Sequence, residues 1–204
     1  MKISYAITVC NELIEIQRLL SFLIKNKRKQ DEIVVFYDTN NGTQEVEDYL
    51  KSLKDIRKIG YHFDGHFANL KNALTDACLG NYIFQIDADE MPSLYLIQYL
   101  PILLENNDVE VLRVPRVNTV KGLTQEHIQK WGWVVDSKSR VNWPDLQWRI
   151  YKNTPEIKWK NKVHEILDGY KTHAILPLEE HFALEHHKDI ERQEKQNNFY
   201  NNLK

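Results

Sequence analysis

The sequence predicts an α/β domain: a mostly parallel, doubly wound sheet flanked by helices, followed by a long C-terminal extension. Three observations predict it. Apolar residues in the first half recur alternately at strand and at helix spacing, giving a βαβαβαβ run. The strands are continuously apolar rather than alternating, as expected where helices cover both faces of a sheet. The last strand of the run ends in a burst of acids, NYIFQIDADEMPS over residues 81–93, at the carboxyl edge where such sheets bind ligands.

Residues 3–9 read as the first strand. Residues 12–27 follow as a helix, with Leu13, Ile16, Leu19, Leu20, Leu23 and Ile24 on one face and Asn11 placed to cap it. The second strand is DEIVVFY (31–37), ended by the turn TNNGT. A helix over 44–53, a short strand over 59–63, a helix over 67–79 closed by Gly80 and a strand over 82–86 complete the run. Met91-Pro92 opens a further helix to Leu103, because proline suits the first helical turn; Asp87 to Glu90 then form a strand-to-helix loop. Residues 109–120 read as another pair of strands, and 121–141 as an irregular stretch rich in Trp and Lys. After Pro144 and Asp145, which should sit at a loop exit facing open space, Leu146, Trp148 and Ile150 alternate as a strand. The tail, 188–203, places Ile190, Gln193, Asn197 and Tyr200 at helical spacing and should close the domain. No linker or repeat divides the chain, so 1–204 reads as one domain.

Lys plus Arg total 27 against 29 for Asp plus Glu, a net charge of -2 that argues against a general nucleic-acid or membrane-surface binder. The opening MKISYAITVC matches neither a signal peptide nor a membrane span, so a cytoplasmic protein is expected. Cys10 and Cys78 lack CxxC spacing and read as core thiols of a reducing compartment.

With seven glycines and neither GxGxxG nor GxxxxGK[ST], the chain has no phosphate-cradling loop. Two carboxylates one residue apart, Asp87 and Asp89, can instead hold a hard divalent cation that bridges diphosphate oxygens. The competing reading is that they cap the next helix. Their place after an apolar strand, and the added repulsion from Glu90, favour a cation. His181, His186 and His187 offer an imidazole to complete such a site, or else a solvated segment before the tail helix. Asp145 and Glu165 are the general-base candidates, and His164 beside Glu165 is a catalytic or a structural histidine. Five tryptophans, Trp131, Trp133, Trp143, Trp148 and Trp159, crowd one region; one or two of them should face a substrate groove as aromatic platforms.

In order, AITVCNE, VVFYDTNNGT, the helix with Asn69-Leu70-Lys71-Asn72, and GNYIFQIDADE resemble the family 2 glycosyltransferases of GT-A fold. The resemblance implies a nucleoside-diphosphate sugar donor, with Thr8, Asn11, Glu12 and Asp38 near its uracil or ribose. It also places Lys71 where an Arg is more usual, with Asn72 beside it, and Asp87, Ala88 and Asp89 along the donor. Asp87 would approach the ribose, and both acids the Mn2+ or Mg2+. PDLQWRIYKN, WKNKVHEIL and LEHHK resemble a smaller subgroup with PDxQxR, VHE and late HxK motifs. There His186 matches the metal ligand, with His187 and His181 in reserve. An acid followed four residues later by Arg maps onto Asp145 and Arg149, which puts Asp145 ahead of Glu165 as base; the usual Glu-Asp pair reads Pro144-Asp145. Residues 1–110 would then bind the nucleotide sugar, and 111–204 would supply the catalytic and acceptor side, including Trp131, Trp133 and His164. The implied reaction is inverting transfer of a hexose or pentose from a nucleoside-diphosphate donor, with UDP the expected nucleotide, to a hydroxyl of a glycan, a protein or a modified DNA base. A non-catalytic sugar-nucleotide or carbohydrate-binding module is the alternative.

Overall fold

The structure is a computed structural model describing residues 1–203, with side chains to residue 199; Tyr200 of the expected apolar stripe therefore lies outside the described side chains. Its first half is β1 (Ile3–Val9), α1 (Leu13–Asn26), β2 (Glu32–Asp38), α2 (Gln44–Ser52), β3 (Arg57–Tyr61), α3 (Phe67–Asp76) and β4 (Tyr82–Asp87), the predicted alternation. Then come β5 (Glu90–Pro92), α4 (Leu94–Glu105), β6 (Val111–Val114), β7 (Arg116–Lys121), α5 (Gln125–Trp131) and β8 (Gln147–Lys152). The chain ends with β9 (Lys158–Lys160), β10 (Ile166–Asp168), β11 (His173–Ile175), a 3-10 turn at Glu180–Phe182, β12 (Leu184–Asp189) and α6 (Ile190–Leu203).

The central sheet has seven strands in the order β11-β6-β8-β4-β1-β2-β3. Strands β1 to β4 run parallel, and β8 enters antiparallel between β4 and β6. Both faces are covered, which is why both alternating side-chain sets of a strand are apolar. Ile3, Tyr5 and Ile7 of β1 pack under α1 and α4 with Leu19, Leu23 and Leu100, whereas Ala6, Val34 and Ile83 pack with Leu74 of α3 and Trp159. A second sheet, β5-β12-β7, stands at the carboxyl edge of β4, and β9 and β10 form a hairpin.

Several expectations are corrected. Glu12, not Asn11, sits at the N-cap of α1, and its carboxylate turns back to accept from the backbone N–H groups of Cys10 (2.8 Å) and Asn11 (3.1 Å). Met91-Pro92 is strand, because residues 90–92 pair with β12; α4 starts after Ser93, whose hydroxyl accepts from the Leu96 N–H at 2.9 Å. Helix α3 ends at Asp76, and Gly80 serves close packing instead: a Cβ there would lie 2.6 Å from the Ser4 nitrogen. The strands within 109–120 belong to different sheets, parted by Pro115. The stretch read as irregular contains α5, with a Thr124–His127 capping box and a left-handed Gly132 (φ 64°) at its end. Lys188 and Asp189 close β12 rather than open the tail helix. Among the described residues no helix is long and apolar enough to cross a membrane.

Candidate active site

The acids at the end of β4 part company within four residues. Glu90 points inward, 1% exposed, and accepts from Arg149 Nη2 (2.6 Å) and Nε (2.9 Å), from Arg116 Nη1 (2.9 Å) and from the Asp87 N–H (3.1 Å). It crosslinks β4, β7 and β8, and the cations that relieve its charge are guanidiniums. Asp87 bonds Thr8 Oγ1 (3.2 Å) through one oxygen and Arg149 Nη2 (2.6 Å) through the other. Burial would raise the Asp87 carboxyl, but Arg149 and Lys71 outweigh it and hold it at about 2.

Asp89 faces the second sheet. Its Oδ2 lies 3.2 Å from His186 Nε2, 3.3 Å from Arg192 Nη2 and 3.6 Å from Lys188 Nζ. Burial would raise this carboxyl too; a proton on His186 Nε2, where one is present, and the charges of Lys188 and Arg192 hold it well below the usual range. Asn118 sets the histidine tautomer. Its Nδ2 donates to Asp145 Oδ2 at 2.6 Å, so its Oδ1 is the end that meets His186 Nδ1 at 2.6 Å. Nδ1 is thereby assigned the proton, and Nε2 keeps a lone pair aimed at Asp89. Burial lowers the His186 pKa and favours that neutral form. Two acceptors 3.2 Å apart enclose a place for a proton or a metal ion, and neighbouring ligands of an octahedral cation are about 3 Å apart. Among the described residues no three His, Cys, Asp or Glu side chains converge to hold a metal unaided. Asp89 and His186 fit a cation that takes its other ligands from substrate and water.

Asp145 does not face open space. It follows a cis Trp143–Pro144 bond and has φ 31°. Its Oδ2 accepts from Arg116 Nε (2.9 Å) and Asn118 Nδ2, and its Oδ1 from Gln147 Nε2 (2.7 Å). Burial opposes ionisation, but Arg116 and these amides lower its pKa, so Asp145 is ionised at neutral pH. Glu165 pairs with Lys71 at 2.9 Å, and Lys71 lies over the Trp159 ring at 4.6 Å. Asp38 closes a turn by accepting from the N–H groups of Asn40 (2.8 Å) and Asn41 (3.3 Å).

These groups share one cleft of about 1050 Å³. Thr8, Asn11, Glu12, Asp38, Lys71, Asp87, Ala88, Asp89, Asp145, Arg149, Glu165, His164, His186 and Trp133 all line it. Cys10 is half-buried at its wall rather than in the core, Cys78 is buried, and burial pushes both thiols up to about 12. Asn72 stands apart from the cleft, its amide clamping the backbone of Trp159 at 2.8 and 3.0 Å. Trp131 is outside the lining, stacked on His127 and tilted against Trp133. His187 turns to Thr119 on the opposite face of β12, and His181 packs against Tyr95 and Phe182. Sequence reasoning missed Arg116, Asn118, Gln147, Lys188 and Arg192. The signal for Lys188 lay in LEHHKD, where a strand period puts Leu184, His186 and Lys188 on one face. Of the basic residues between 121 and 162, Lys138 and Arg140 bond Glu180, and Lys158 bonds Asp76.

The model of glycosyl transferase family 2 matches residues 4–172. The chain belongs to this family. The family 2 assignment agrees with the fold of solved structures of S. aureus TarS. The TarS fragment 1–349 aligns with a TM-score of 0.61 at 15% identity, over 93% of this chain and 60% of that one. The same fragment in complex with UDP-GlcNAc gives 0.64 at 16% identity, over 92% and 59%. Its complex with UDP gives 0.55 at 18% identity, over 86% and 61%. The chain thus spans about 60% of the TarS fragment. A comparison with curated protein sequences gave no match.

Proposed function

We propose that the chain transfers a sugar from a UDP-linked donor to an acceptor hydroxyl, with inversion. One observation carries this reading. In a family 2 chain, a single cleft at the strand carboxyl ends joins the donor-side residues Thr8, Asn11, Glu12, Asp38 and Lys71, the Asp89–His186 pair and the separate carboxylate Asp145. The likeness to TarS, solved with UDP and with UDP-GlcNAc, supports a uridine nucleotide.

Asp89 and His186, with Asp87 adjacent, would hold Mn2+ or Mg2+; when bound, such an ion neutralises charge on a departing diphosphate. The protein's own residues account for the proton. The acceptor oxygen bonds to the anomeric carbon as the carbon–oxygen bond to the diphosphate breaks, and the hydroxyl proton passes to Asp145. Arg116, Asn118 and Gln147 orient that carboxylate and keep it ionised. Asp87 and Glu90 in turn lock Arg149.

A thermal-shift screen of nucleotide sugars, with and without Mn2+, tests the reading when coupled to mass-spectrometric detection of donor consumption. A UDP-sugar with Mn2+ should raise the melting temperature and be consumed, and Asp89→Asn should stay folded and lose both effects. The proposal fails if no nucleotide sugar shifts melting, or if Asp89→Asn consumes donor at the wild-type rate.

A further inference from the structure

We propose that Lys188 and Arg192 form the diphosphate-binding subsite of the cleft. The inference rests on the donor reading above and names the side chains that hold the phosphates. With no glycine-rich loop, the phosphate charge must be met largely by side chains. Among the described residues six lysines and arginines line the cleft: Lys71, Arg116, Arg149, Lys188, Arg192 and Lys195.

Three of them are already neutralised by close carboxylates. Lys71 has Glu165 at 2.9 Å, Arg116 has Asp145 at 2.8 Å and Glu90 at 2.9 Å, and Arg149 has Asp87 and Glu90 at 2.6 Å each. Lys188 is also buried, at 9% exposure, but differently partnered. Its hydrogen bond goes to the neutral Gln196 Oε1 at 2.5 Å, and among the described residues the one carboxylate within 4 Å of its Nζ is Asp89, at 3.6 Å. Asp89 is shared with Arg192 at 3.3 Å, and Arg192 has Glu15 at 2.5 Å besides, so Lys188 is the cation left with the least compensation. A buried ammonium compensated this thinly calls for another anion.

Position agrees with charge. His186 and Lys188 lie on one face of β12, roughly 7 Å apart along the strand, and Arg192 follows in the first turn of α6. Arg192 also reaches Glu15 (2.5 Å) and Glu12 (3.4 Å), which hold it at the mouth of the cleft. A diphosphate seated against Asp89 and His186 would meet Lys188 from within and the Arg192 fork at the rim.

Calorimetric titration with inorganic pyrophosphate, UDP and uridine, in EDTA so that no divalent cation contributes, tests the assignment. Lys188→Met keeps the side-chain volume and removes a buried charge, so cooperative melting should survive. Arg192→Gln, on a partly exposed site, provides a second variant that does not depend on the core. Both should weaken pyrophosphate and UDP by about tenfold or more, with uridine affinity unchanged, and Lys188→Arg should recover most of the loss. A merely structural role would move uridine as well. Pyrophosphate and UDP binding within about twofold of wild type in both variants overturns the subsite, as does a wild type that binds uridine and gains no affinity from the diphosphate of UDP. Pyrophosphate bound through Lys188 by a protein that binds neither UDP nor uridine would keep the subsite and overturn the donor reading.

Discussion

Glu90 and Asp89 are adjacent in sequence and opposite in circumstance. Glu90 is saturated: two guanidiniums and a backbone N–H reach it, the guanidiniums at 2.6–2.9 Å, and its side chain is fully buried. Asp89 has contacts of 3.2–3.6 Å to an imidazole, an ammonium and a guanidinium, all at the wall of a cleft. The first arrangement resembles a rivet, the second a socket. Counting acids in a motif therefore says little; the distances to their cations separate a crosslink from a ligand site.

The largest effect should come from removing the crosslink. Glu90→Gln leaves Arg149 and Arg116 buried without their shared carboxylate, and chemical denaturation should show a loss of about 3–5 kcal/mol. Asp89→Asn should cost less than half as much in the same experiment. Equal costs would erase the distinction between the two acids. Next in size, Asp145→Asn should lower turnover by roughly 10²–10⁴-fold while donor affinity holds; wild-type turnover would shift the proton to Glu165.

The smallest effect concerns how firmly Asp145 is held. Its pKa is lowered in the fold from an ordinary 3.8, so the stability it contributes is complete above that value and disappears as pH falls through the folded pKa. Gln147→Ala removes the bond to Oδ1, and carbon NMR of the Asp145 carboxyl should show its midpoint moving up by less than about one pH unit. An unmoved midpoint would assign the depression to Arg116 and Asn118 alone.

The same contrast explains what could be read in advance. The strands β1 to β4 and the helices between them announce themselves by local periodicity, and the acids at the end of β4 stand out because they end an apolar run. Glu90–Pro92 did not read as strand, since its partner Leu184–His186 lies more than ninety residues away and proline locally suits a helix start. Arg116 and Asn118 matter only because β7 is brought beside Asp145, a juxtaposition no local pattern encodes, whereas Gln147 stands two residues from Asp145 within PDLQWR and its role was overlooked. Lys188 was the exception: its strand period with Leu184 and His186 was visible, but the residue read as the first of the tail helix.

Glu90 and His186 are register partners in the second sheet, and the Ala88 N–H bonds Thr8 O at 3.1 Å. The Asp87–Glu90 loop is thus sewn into one sheet at its start and another at its end. Its opening is tied to rupture of ladders, whereas Asp145 hangs from a turn closed by the Asn142 carbonyl at 3.0 Å. Under gradual heating the two sides of the cleft would part company in time. The proton-accepting side would lose its alignment first, and a protein still able to grip its donor would already have stopped transferring.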